Sequence, residues 1–240
     1  AEAGSLVTLL DGTTPIGSAI ATPAGIWTIT AAPLADGAHA IAVIATDVAG
    51  NVSLASVALT VTIDSQMLAP SVPDMTAGTD KGVSNSDNIT NDATPTFTGT
   101  AEAGSTITLL DGATTIGTAR ASAAGVWNMT SAPLADGVHS ISAGAQDAAG
   151  NLATSAALAV TIDTLAPAAP PLAALAPGSD TGSSASDNIT NASTPTVIGT
   201  AEAGATVTLY DGATARGTSI AGPDGTWSIT STALTTGAHA

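Results

Sequence analysis

The side chains of this chain that could do chemistry are almost all oxygen donors, and they recur at fixed places. Asp64 and Asp163 each end a Val-Thr-Ile-Asp run. Glu102 and Glu202 sit in repeated Ala-Glu-Ala-Gly segments, and Asp147 opens Asp147-Ala148-Ala149-Gly150-Asn151. A second set lies in the polar stretch Asp80-Lys81-Gly82-Val83-Ser84-Asn85-Ser86-Asp87-Asn88, whose acids and amide return as Asp180, Asp187 and Asn188. That stretch spaces oxygen donors at alternate residues around a glycine, as calcium loops do, although it lacks the closing glutamate and the helices of an EF-hand. Carboxylates, amide oxygens and backbone carbonyls together suit calcium, which takes about six to eight oxygen ligands. Magnesium prefers to keep its waters. Zinc has no suitable ligand set, since there are no cysteines and the three histidines are dispersed one per repeat. The expected cofactor is Ca2+.

Catalysis has little to stand on. There is no cysteine nucleophile, and no second histidine stands near the first. The same acids return in every copy, whereas an active site needs one asymmetric pocket with mixed roles. The sequence reads as a non-enzyme.

Charge excludes further classes. Nineteen acids face three basic residues, Lys81, Arg120 and Arg216, for a net charge of −16. Such a chain repels nucleic acid and anionic membrane faces. No apolar run of about twenty residues offers a membrane span. Hydrophobic residues make up 44% and aromatics only 2%, so the core must be Val, Ile, Leu and Ala around one Trp per repeat. That composition, with many threonines, favours strands.

The elements that must position these donors follow from internal repetition. Asp11-Gly12, Asp111-Gly112 and Asp211-Gly212 return with a period of 100 residues, as do Trp27, Trp127 and Trp227, and His39, His139 and His239. Within residues 65–163, alternating apolar and polar residues mark seven short strands with turn signals about every ten residues, the pattern of an immunoglobulin-like sandwich. The expected fold is all-β, with tandem seven-stranded sandwiches arranged end to end. Residues 65–163 form a complete domain. Residues 1–64 and 164–240 are the later and earlier parts of two others, as in a window on a longer array.

An up-and-down strand order places successive loops at alternate poles. Glu102 and Asp147 then share the upstream pole of the 65–163 domain with the incoming Asp64. Asp163 leaves the downstream pole toward Glu202, with Asp80 and Asp87 contributed by its own domain. The acids before glycine (Asp11, Asp36, Asp111, Asp136 and Asp211) read as turn formers. The tryptophans read as core, and the histidines as a solvated face. Gly150-Asn151 reads as hairpin chemistry, and Asn88 as a side-chain cap.

Four signatures in one order, Gly99 to Gly104, Asp147 to Asn151, Thr161-Ile162-Asp163-Thr164 with Ala166-Pro167, and Asp180 to Ser183 with Ser186 to Thr190, resemble the bacterial Ig-like repeats of giant secreted adhesins. The resemblance covers essentially the whole chain. It implies extracellular or cell-surface fibres, exported by a type I system, that mediate adhesion and biofilm formation. These modules would form the stalk, with calcium between modules stiffening it. Its partners would be neighbouring repeats, other copies in a filament, and a host or biofilm surface reached through regions outside these residues. The first linker departs from the family pattern, with Gln66-Met67 where the family is rich in threonine, which implies a weaker or differently shaped ion site. Two other readings stand beside the stalk: a calcium-dependent carbohydrate- or receptor-binding module, and a subunit of a multichain filament.

Overall fold

A computed structural model describes residues 1–240, and every regular element in it is a strand. No helix is long and apolar enough to cross a membrane. The chain gathers into two compact units, residues 1–164 and 165–240.

The first unit opens with β1 (Leu6–Asp11), β2 (Thr14–Ile20), β3 (Gly37–Thr46) and β4 (Leu59–Ile63), hydrogen-bonded in the order β2-β1-β3-β4. It continues with β5 (Asp74–Met75), β6 (Ile89–Thr90), β7 (Thr96–Thr100), β8 (Thr106–Asp111), β9 (Thr114–Arg120), β10 (Val126–Thr130), β11 (Gly137–Gln146), β12 (Leu152–Thr154) and β13 (Leu158–Ile162). These form two sheets, β10-β7-β5 and β6-β13-β11-β8-β9, with β12 also on β11. The second unit carries β14 (Ala174–Leu175), β15 (Thr196–Thr200), β16 (Thr206–Asp211), β17 (Thr214–Ile220) and β18 (Thr226–Thr230), ordered β14-β15-β18 and β16-β17.

Two expectations need correction. The strand order is not up-and-down: β7 leads into β8 in the opposite sheet, and β9 leads back to β10. Strand direction still alternates, because β7 is antiparallel to β10 and β8 to β11, so loops still fall at alternate poles. The complete copy also has more than seven strand segments. The polar loop after β5 contains the two-residue β6, which runs parallel to β13, and a separate β12 precedes β13.

Period-two alternation produces the core directly. In β10, Trp127 and Met129 are buried while Val126, Asn128 and Thr130 face outward. Phe97, Ile107, Leu109, Ile141, Val160 and Ile162 complete the centre of the sandwich. Pairing, not propensity alone, makes the strand: Ile26-Trp27-Thr28-Ile29-Thr30 has the same pattern as β10, but it has no partner in this chain and is not a strand. Trp27 is only half-buried, whereas Trp127 is 2% exposed.

The tryptophan requires a glycine opposite it. Trp127 pairs with Gly99 across β10 and β7. A Cβ on Gly99 would lie 2.6 Å from Trp127 Cζ2 and 2.8 Å from Ser71 Oγ. Gly199 meets Trp227 in the same way. Gly99→Ala should therefore lower the stability of the first unit by about 1–3 kcal/mol through overpacking. Denaturant unfolding followed by tryptophan fluorescence checks this, with a Thr98→Ala control that leaves the ring uncrowded.

Candidate metal centre

The upstream pole of the 65–163 sandwich is built from loops that the sheets hold side by side. The Glu102 loop joins β7 to β8, and the Asp147 loop joins β11 to β12. Because β8 and β11 are register-locked, Thr106 opposite Gln146, the two loops emerge together. Asp64 follows β4 directly. One carboxylate oxygen from each of Asp64, Glu102 and Asp147 lies within 4.8 Å of the other two. Asp64 and Glu102 are exposed and Asp147 is buried.

Asp147 is the organised member. Its Oδ1 accepts the amides of Gly150 at 2.7 Å and Asn151 at 2.9 Å, and its Oδ2 accepts Asn151 Nδ2 at 2.8 Å. Burial works to raise its pKa, but the bonds from the Asn151 side chain and from the Asn151, Gly150 and Ala149 amides outweigh it, leaving the carboxyl below its ordinary range. The same Asn151 Nδ2 donates to the Asp64 backbone carbonyl at 3.0 Å. Asn151 is thus more than a turn residue: one amide group ties the incoming strand end to the carboxylate of the next sandwich. Asp47 and Asn51 repeat the local pair at 2.7 Å, and the Asn51 side chain lowers the pKa of Asp47.

The donor chemistry of this cluster fits a hard divalent cation. No lysine, arginine or histidine pairs with any of the three carboxylates. The linker beyond Asp64 is anchored through Met67, which packs against the 65–163 core, and Pro70 is buried. The departure of this linker from a threonine-rich pattern thus serves packing, and the three carboxylates still gather beside it.

The other expected ligands lie elsewhere. Asp163 follows β13, and its amide donates to Thr90 O at 2.9 Å. Glu202 belongs to the second unit, where its carbonyl accepts the amide of Ala205 at 3.0 Å. Asp80 and Asp180 do not present a carboxylate to solvent at a pole; they are 2% and 6% exposed. Asp87 and Asp187 are exposed, and each turns Oδ1 onto the amide two residues on, Ile89 and Ile189, at 3.1 Å. Asn88 and Asn188 act through their backbones, with φ of 61° and 59°, and not as side-chain caps.

The histidines do not form a free solvated face; each ring is held between two acceptors. His139 places Nδ1 at 2.7 Å from Asp111 Oδ2 and Nε2 at 2.8 Å from the Ala135 carbonyl. Two acceptors demand two ring protons, so the imidazolium is the form that satisfies this site. Asp111 Oδ1 also accepts the Ser140 amide at 3.1 Å, so Asp111 is a clamp as well as a turn former. The corner so pinned carries Asp136, whose Oδ1 accepts both the amide and the hydroxyl of Thr164 at 2.9 Å. Asp36 holds the Ser65 amide at 3.1 Å in the same role. Asp11–His39 and Asp211–His239 repeat the clamp, and Arg216 adds a 3.0 Å bond to Asp211. The spacing of 28 residues between partners, constant in all three copies, was the signal that could have revealed it.

The Asp111 hydrogen bond raises the pKa of His139 above 6.5, and the Ala135 carbonyl adds to this against the effect of burial. The folded state therefore binds the proton more tightly than the unfolded chain. The stabilisation is fully present below the unfolded pKa and is lost as pH rises through the folded one. Unfolding free energy measured from pH 6 upward should fall across that window. His139→Gln should flatten the fall, and Asp111→Ala should cost about 2 kcal/mol at pH 6.

Residues 1–65, 66–164 and 167–240 each match the bacterial Ig-like domain family. No curated protein matches the chain. Among solved structures, the BSP domain of a biofilm associated protein is similar at 19% identity and a TM-score of 0.31, over 69% of this chain and 26% of that one. The chain thus spans about a quarter of that protein's length. Fibronectin(III)-like modules of Clostridium thermocellum CbhA are similar at 23% identity and a TM-score of 0.37, over 67% and 77% of the two chains. With three consecutive matches covering nearly its whole length, this chain belongs to the bacterial Ig-like domain family.

Proposed function

We propose that the chain is a stalk segment of a large bacterial surface adhesin, and that calcium at the Asp64, Glu102 and Asp147 joint stiffens it. The observation that carries the reading is the meeting of carboxylates from two consecutive repeats within 4.8 Å. Two unit charges about 4 Å apart repel by roughly 1 kcal/mol in water and more at lower dielectric. A divalent cation turns that repulsion into a crosslink. Asp64, Glu102 and Asp147 would hold it, and the cation supplies charge neutralisation and a fixed angle between sandwiches. The stalk carries no catalytic step. Its work is to transmit position and force between whatever lies at its two ends, at the cell surface and beyond.

The absence of cysteine makes the joint easy to probe. Spin labels at Thr13→Cys and Ala113→Cys occupy exposed hairpin turns on either side of it. Electron–electron distance measurement should give a narrow distribution in calcium and a broad one after chelation. Glu102→Gln should broaden it even with calcium present. Equal widths with and without calcium would remove the stiffening role. Calcium at about 100 times its Kd should also add about 2.7 kcal/mol to the stability of the first unit, read as a rise in its thermal midpoint.

A further inference from the structure

Two repeats bury a carboxylate and leave one of its oxygens without a partner. Asp80 is 2% exposed and Asp180 6%. In each, Oδ2 accepts the amide of the asparagine eight residues on, Asn88 at 3.2 Å and Asn188 at 3.3 Å. The carboxylate is thereby turned into the loop it begins. Oδ1 is buried and makes no hydrogen bond in either copy. Burying an ionised oxygen with neither donor nor cation is strongly disfavoured.

The chain supplies no compensating cation. Lys81 is the basic residue of the loop, and its Nζ lies 2.8 Å from Asp92 Oδ2. In the next copy Thr181 and Ala192 stand at the positions of Lys81 and Asp92, so that pair is absent as a unit. Asp180 Oδ1 is unpartnered all the same. Nor does the burial depend on the neighbouring strand. Ile89 and Thr90 pair with β13, while Ile189 and Thr190 form no strand, yet both aspartates are inside. The feature belongs to the loop itself.

We propose that this loop holds a divalent cation within the sandwich that carries it, separate from the joint, with Asp80 or Asp180 Oδ1 as the anchoring ligand. The donors the loop can add are oxygens: the Asp87 or Asp187 carboxylate, the hydroxyl of Ser84 or Ser184, and backbone carbonyls. That set selects calcium over transition metals. Its effect reaches the end of the domain. Asn88 O accepts the amide of Thr161, and Thr90 O accepts the amide of Asp163, both at 2.9 Å. An ion that orders the loop therefore seats the strand from which the chain leaves the sandwich. The inference rests on the orphaned oxygen and stands whether or not the joint binds an ion.

The test is a calcium titration of the 15N-labelled full chain, read residue by residue. The amides of Asn88 and Asn188 should shift and saturate. Asp80→Asn should abolish the response at Asn88 and leave those at Asn188 and Glu102 unchanged. Unmoved Asn88 and Asn188 amides would overturn the proposal and assign the orphaned oxygen to a buried water. The amides of Glu102 and Asn151 report the joint in the same spectra, so either site can fail without the other. If Asp80→Asn does not fold, the titration of the unaltered chain and of Asp180→Asn decides the matter.

Discussion

Electrostatic repulsion among carboxylates at a protein joint is the constraint on which this structure turns. Asp64, Glu102 and Asp147 come from two consecutive repeats and converge within 4.8 Å. The chain has few means of neutralising them. Lys81 is committed to Asp92 and Arg216 to Asp211, and Arg120 Nε donates to the Gly104 carbonyl at 2.8 Å. Asp147 closes its own turn, whereas Asp64 and Glu102 add exposed carboxylates that no basic side chain pairs with. Under the proposed function, their meeting would make the stiffness of the joint a property that the medium sets.

Around that joint, the sandwich works as a register device. β8 and β11 pair residue for residue, which delivers the Glu102 and Asp147 loops to one pole. The glycine opposite Trp127 and the one opposite Trp227 let the second sheet close over the core. At the other pole, the Asp111–His139 clamp fixes the corner whose Asp136 takes hold of Thr164. Each end of the domain thus has its own polar fastening, one made of carboxylates and one of an imidazolium. They respond oppositely to chemistry in solution. The first would gain from a cation under the proposed function, whereas the second weakens when a proton leaves.

Much of this was legible from residue types and spacing. Period-two alternation located β8, β10 and β11, and the repeat of 100 residues separated structural positions from variable ones. Alternation of strand direction was enough to send Glu102, Asp147 and Asp64 to a common pole, even though the assumed order of strands within the sheets was wrong. What escaped was long-range and side-chain specific. Asp111 precedes a glycine in a hairpin and looks like a turn former; only the fold shows that it faces a histidine 28 residues away. β6 is two residues long, and its pairing with β13 is set by tertiary contact rather than local pattern. The burial of Asp80 was invisible because its loop is mostly polar and its two large apolar residues, Val83 and Ile89, are themselves exposed. Gly150-Asn151 reads as turn chemistry in sequence, but the fold also brings the Asn151 amide to the carbonyl of Asp64, far away in the chain.

The proposed cation site at the first joint is open to crystallography. The most direct test is a crystal structure of the chain grown in calcium, with anomalous difference maps at the joint. A peak bounded by oxygens of Asp64, Glu102 and Asp147 at about 2.3–2.6 Å is the expected result. A joint in which those three carboxylates hold only water in saturating calcium would contradict it.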